Sequence, residues 1–286
     1  MTNPRRTAGT AALLLACALG AAACGSSAPP APAPVPASTG PTATGPETNT
    51  VFTTDRPLDS GELTLAAEQL RHRAELLGLP NPRVKAGDGT LTLTTAGPVA
   101  DRLAALTHRA ALEIRPVLAA VVDATPAPAD APDRWRDRLA ALDCAAPAAQ
   151  AAPGTELLAC DRADPSGVRS KLALGPIAVQ GSEIADSSAA ADTNGAGWQV
   201  RVHFTPAGGT AFADLTGRIA QLQEPENQLA ILVDGYVLSH PFVVEAITGG
   251  QAAVTGAFTK EQAEELAAQL ATQALPADLH PVGATP

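Results

Sequence analysis

Residues 231–270 read ILVDGYVLSHPFVVEAITGGQAAVTGAFTKEQAEELAAQL. Apolar runs flank Asp234-Gly235, and a type I′ turn needs positive φ at both central residues, so this dipeptide predicts a β-hairpin over 230–238. Phe242 to Ile247 reads as a further strand. Gly249-Gly250 and Gly256 mark turns, not a phosphate cradle, because no G-x-x-x-x-G-K pattern accompanies them. Thr259 and Gln262 form a capping box that opens a helix with Ala263, Leu266, Ala267, Leu270 and Ala274 on one face. A hairpin, a strand and then a covering helix place the chain among α+β folds.

The same alternation continues upstream. Val51 to Thr54 predicts a strand, and Ser60 opens a helix with Leu63, Ala67, Leu70, Ala74 and Leu77 on one face, ended by Gly78. A strand over Thr90–Thr94, a helix from Pro98 through Val99, Leu103 and Leu106, and a strand over Ala111–Val117 close that unit. Residues 119–170 are an irregular Ala/Pro/Asp-rich stretch holding Cys144 and Cys160. Strand signals return at Gly175–Val179 and Trp198–Phe204, with a helix from about Ala207 carrying Phe212, Leu215 and Ile219.

The 286 residues allow one or two domains. Lys+Arg 19 against Asp+Glu 29 gives a net charge of -10, which argues against nucleic acid, since phosphate neutralisation needs a basic stripe. Residues 1–23 read as an export signal: Arg5 and Arg6, an apolar stretch from Ala11 to Leu19, then Ala21-Ala22-Ala23 before Cys24. These small residues resemble a lipobox, which makes Cys24 the expected lipidated residue, although Ala21 stands where that motif has Leu. Cys17 is the rival, and plain secretion the alternative. Thr7-Ala8-Gly9 lacks the apolar residues that follow a Tat motif, so Sec export is expected. Residues 24–50, with Pro29, Pro30, Pro32, Pro34, Pro36, Pro41 and Pro46, read as a polyproline-like tether able to span about 80 Å. The expected location is the outer face of the cytoplasmic membrane, held through a lipid anchor alone. Cys144 and Cys160 are the remaining cysteines of an exported, oxidised chain and are expected to form a disulfide, two buried thiols being the alternative.

The quoted stretch resembles the end of the first periplasmic domain of SecD, a subunit of the bacterial protein-export machinery. Asp234-Gly235, Pro241, Ile247-Thr248-Gly249-Gly250, Gly256 and Phe258-Thr259 sit where that family has its LDG, P, ITGG and G-x-FT elements. RHRAELLG at 71–78 and ALEIRPV at 111–117 resemble two further family motifs, in family order. The resemblance implies a ferredoxin-like base with an inserted α+β head: base 51–117, head 118–257, a return helix in 258–280 and a tail at 281–286. It also implies a role in holding emerging polypeptide, with translocon subunits as possible partners. The membrane helices of that family have no counterpart in the sequence, and Gln273-Ala274-Leu275-Pro276 departs from its G-A-L-P, so a proton-driven motor is not expected.

No catalytic constellation is present. His72, His108, His203, His240 and His280 are scattered with no HExxH, and the cysteines show no CxxC, so no metal or other cofactor is expected. Ser239 and His240 point to opposite faces of a strand and cannot pair. Glu261, Glu264 and Glu265 favour the dipole end of their helix rather than acid/base work. No enzymatic activity is expected. Tyr236, Phe242, Val243 and Val244 read first as core, and any of them left exposed becomes a peptide-binding candidate. Three function classes therefore stand: a polypeptide-binding export accessory, an envelope lipoprotein scaffold reusing the head for another ligand, and, least favoured, an enzyme.

Overall fold

The computed structural model describes residues 46–123, 133–149, 151–161, 168–193 and 197–285. An antiparallel sheet is built from β1 (Thr48–Thr54), β2 (Arg83–Gly87), β3 (Thr90–Thr95) and the final strand, β13 (Leu279–Thr285), in the order β13-β1-β3-β2. With α1 (Ser60–Leu76) between β1 and β2, this is a ferredoxin-like arrangement. The alternation in β3 turns Leu91 and Leu93 inward, where they pack with Phe52, Leu70, Ala74 and Leu106. Asp59 caps α1: its carboxylate accepts the Glu62 N–H at 2.8 Å while Glu62 accepts the Asp59 N–H at 3.1 Å. The helix is rolled relative to the sequence expectation, so Gln69 and Arg73 are buried along with Leu70 and Ala74.

The strand over Ala111–Val117 was expected to close the base, and the structure corrects this. β13 takes that fourth place, in residues the sequence reads as the end of the 258–280 return segment and the 281–286 tail, and Pro281 is tolerated there because β13 is an edge strand. The Ala111 segment instead opens a longer strand, β4 (Leu112–Val122), buried at alternate positions and paired with other strands altogether. The expected helix at 98–106 is a 3-10 turn at Ala100–Arg102 followed by α2 (Leu103–Thr107).

Beyond β4 come α3 (Asp133–Ala140), β5 (Leu157–Cys160), β6 (Ser170–Leu174), β7 (Val179–Gln180), β8 (Ile184–Ala191), β9 (Trp198–Phe204) and α4 (Pro206–Ile219). They are followed by β10 (Leu229–Val233), β11 (Tyr236–Ser239), β12 (Gln251–Phe258) and α5 (Lys260–Ala271). One sheet runs β11-β10-β4-β6-β5 with β7 on β4, and another runs β12-β9-β8. A parallel bridge from Asp161 to Val237 brings the end of β5 back to β11, so the outer strands of the first sheet meet.

The expected strand at Gly175–Val179 is instead the break between β6, which ends at Leu174, and β7, which begins at Val179. A Cβ on Gly175 would lie 2.8 Å from Pro116 Cγ, and Pro176 offers no N–H to a ladder. The expected strand at Phe242–Ile247 is a loop, joined to Gln228 by a single bridge at Phe242. α5 packs Ala263, Leu266, Ala267 and Leu270 into a core shared with Val200, Val202, Phe212 and Ile231, and also touches α1 and α2. No helix among the described residues is long and apolar enough to cross a membrane.

Candidate functional site

The Asp234-Gly235 turn joins the β10–β11 hairpin to the entry of β4. Asp234 and Gly235 have φ of 49° and 77°, as a type I′ turn requires. The Asp234 carboxylate accepts the N–H groups of Ala110 at 3.0 Å and Ala111 at 2.8 Å, fixing Ala110 at φ 59°. A charged acceptor on two amides stabilises this crossing between the base sheet and β4.

Beside it, Arg73 is fully buried and donates to main-chain carbonyls rather than to a carboxylate. Nη1 reaches the oxygen of His108 at 2.6 Å, Nη2 that of Gln273 at 3.1 Å, and Nε donates to Thr272 Oγ1 at 3.0 Å. Burial lowers the Arg73 pKa to about 10 while the charge on Asp234 pulls it back up, so the side chain remains a cation at neutral pH. Its role is to satisfy the carbonyl ends of two chain segments. Arg115 acts similarly one strand away, with Nη1 on the carbonyls of Thr155 and Gly175, each at 2.9 Å, and Nε on Glu113 at 2.7 Å.

At the other end of β11 the chain enters the loop 240–250. Val243 N–H donates to the Asn227 carbonyl at 2.9 Å, and Ile247 N–H to Thr216 Oγ1 at 2.9 Å on α4, so the loop is fastened at both ends. This separates the four apolar candidates. Val243 is 4 % exposed and belongs to the core with Phe212 and Leu229, its own N–H held by the Asn227 carbonyl, so its side chain is not offered to a ligand. Phe242 and Val244 are 57 % and 84 % exposed. Tyr236 is half-buried at the turn end of β11, away from them. The sequence groups them as apolar residues that follow the hairpin, whereas among the described residues the loop is joined to a strand segment only by the Gln228–Phe242 bridge.

Thr248, Gly249 and Gly250 of this loop also line an open cleft of about 510 Å³, together with His203, Thr205, Gly209 and Asp214. Cys144 and Cys160 are joined in a disulfide with Cα atoms 5.7 Å apart, in the sheet edge that meets β11. Cys24 and Cys17 lie outside the described residues.

His240 contacts Gln228 Oε1 at 2.9 Å and Asp161 Oδ2 at 3.3 Å, so both ring nitrogens are engaged away from Ser239. Glu264 pairs with Lys260 at 3.3 Å and Glu265 with Arg102 at 3.2 Å, while the Glu261 carboxyl is held below its ordinary range by its own backbone amide at the helix start. Among the described residues no group of three or more His, Cys, Asp or Glu could hold a metal.

Known proteins share this architecture. Residues 156–277 match the SecDF P1 head subdomain. Protein translocase subunit SecD of Streptomyces coelicolor is 40% identical over 154 residues, covering 51% of this chain and 27% of that protein. Subunit SecDF of Thermus thermophilus is 39% identical over 106 residues, covering 37% and 14%. The chain thus spans about a quarter or less of the length of these relatives. A crystal structure of SecDF in a super-membrane-facing form superposes with a TM-score of 0.58 at 25% identity, over 83% of this chain and 30% of that one. A structure from a membrane component SecDF that enhances protein export gives 0.56 at 26% identity, over 82% of this chain and 98% of that one. Residues 156–277 therefore match the SecDF P1 head subdomain, carried on a base whose fold is that of the SecDF structures.

Proposed function

We propose that this protein is a non-enzymatic accessory of protein export that holds polypeptide on the outer face of the cytoplasmic membrane, tethered through a lipidated Cys24. The observation that carries the reading is the P1 head across residues 156–277, with Phe242 and Val244 presented to solvent on its surface. Exposed apolar groups on a fastened loop suit transient capture of an extended chain. Binding is weak, because the ligand loses conformational freedom and an accessory must release it.

Photo-crosslinking tests this. A photoreactive residue at position 242 or 244 should label a denatured secretory protein well above the same residue at position 65 or 76, both exposed apolar sites on α1. Equal labelling of all four, or none, removes the polypeptide-binding reading and leaves an envelope scaffold. The anchor has its own test. Cys24→Ser should move the protein from the membrane fraction to the soluble one while Cys17→Ser leaves it in place, and the reverse result assigns the lipid to Cys17.

A further inference from the structure

Between Arg218 and Lys260 the sequence has no lysine or arginine, but it has Glu224, Glu226, Asp234 and Glu245. Asp234 is occupied by the amides of Ala110 and Ala111, at the far end of the hairpin. The three glutamates are exposed, and no ion pair among the described residues neutralises them. They also share their place with apolar surface. The bonds from Val243 to Asn227 and from Ile247 to Thr216 lay the 242–247 loop along the segment carrying Glu224 and Glu226 and along the C-terminal half of α4. A Cβ on Gly217 would lie 3.4 Å from Ala246 Cβ, which shows how closely loop and helix run. On this surface Leu222 and Ile247, 42 % and 39 % exposed, accompany Phe242 and Val244.

Taking the polypeptide-binding reading as its premise, we infer that this face selects segments in which bulky apolar side chains are flanked by lysine or arginine. Apolar burial supplies contact that is indifferent to sequence. The unneutralised carboxylates add an attraction that only a cationic segment can use, and they repel an acidic one. Arg218, exposed on the last turn of α4, lies at the margin and leaves the carboxylate side open. Because these charges are solvent-exposed, the preference is carried by screened electrostatics: it is strong at low salt and fades as the Debye length shrinks.

The test uses the full chain and three fluorescent peptides with one common apolar sequence, bearing two lysines, two glutamines or two glutamates, read by anisotropy. At low salt the lysine peptide should bind about tenfold tighter than the glutamate peptide, with the glutamine peptide between, and the spread should close in about 0.5 M salt. The combined variant Glu224→Gln, Glu226→Gln, Glu245→Gln should abolish the ranking and leave the glutamine peptide unchanged. Phe242→Ser with Val244→Ser should weaken all three, and matching circular dichroism melts exclude unfolding as the cause. Equal binding of the three peptides at low salt, or a ranking that survives the glutamine variant, overturns the charge selection while polypeptide binding stands. No binding of any peptide to the wild-type chain removes the premise as well.

Discussion

Arg73→Met is expected to lower folding stability by about 3–5 kcal/mol, read from urea unfolding. Methionine fills a similar volume and removes the donors. The carbonyls of His108 and Gln273 then lose this donor in a place water does not reach, since Arg73 and Thr272 are both buried, while the Thr272 hydroxyl keeps its bonds to the carbonyls of Ala268 and Gln269. The loss is large because Arg73 bridges two segments that are far apart in sequence: the end of α2, where the chain leaves the base sheet, and the end of α5, where it returns. Both crossings contain a non-glycine residue at positive φ, Ala110 at 59° and Gln273 at 61°, a conformation that persists only when its surroundings fix it. Arg73→Lys should recover part of the loss, because an ammonium keeps the charge but lacks the planar fork that meets several carbonyls at once. A loss below about 1 kcal/mol for the methionine variant would show that these carbonyls find other donors.

The sequence read well where local chemistry decides structure. Asp234-Gly235 has few options besides a type I′ turn, and Thr259 with Gln262 satisfies the first amides of α5 as a capping box, with Gln262 N–H on Thr259 Oγ1 at 3.2 Å. Reading failed where tertiary pairing decides. β8, Ile184–Ala191, is mostly alanine and serine and carries no strand signal, yet it pairs with β9 and packs under α5 because small side chains let the helix approach, with Ser187 Oγ donating to the Ala267 carbonyl at 2.6 Å. β2 offers one large apolar residue, Val84, and forms because the Asp88-Gly89 turn folds it onto β3. Phe242 to Ile247 is an apolar, partly β-branched run like a strand, but among the described residues it has no partner for a ladder beyond the single bridge at Phe242. The buried arginines were invisible for a related reason: Arg73 and Arg115 lie within quoted motifs, but a cation satisfied by carbonyls from distant segments leaves no spacing to read. The apolar candidates were found by composition, and only the hydrogen bonds of Val243 and Ile247 decide which of them face solvent.

The close approach at Gly235 gives the sharpest comparison in the molecule. Gly89 and Gly235 each follow an aspartate at φ near 50° in a two-residue hairpin turn, and their own φ values are 70° and 77°. Alanine at either site pays the same conformational penalty, about 1 kcal/mol. Their surroundings differ: a Cβ on Gly89 meets nothing within 4 Å, whereas on Gly235 it would lie 2.3 Å from the carbonyl oxygen of Ala148. Ala148 cannot simply withdraw, because its N–H donates to the Gly235 carbonyl at 3.0 Å and, four residues upstream, Cys144 is tied to Cys160. Gly89→Ala should therefore cost about 1 kcal/mol, and Gly235→Ala about 3 kcal/mol or more, the excess coming from displaced backbone. Because Asp234 shares the turn, the second variant should also disturb the amides of Ala110 and Ala111, visible as faster hydrogen exchange there and not at β3. Equal costs at the two glycines, with exchange at Ala110 and Ala111 unchanged, would mean the 145–149 segment yields freely and that the turn does not couple it to the crossing into β4.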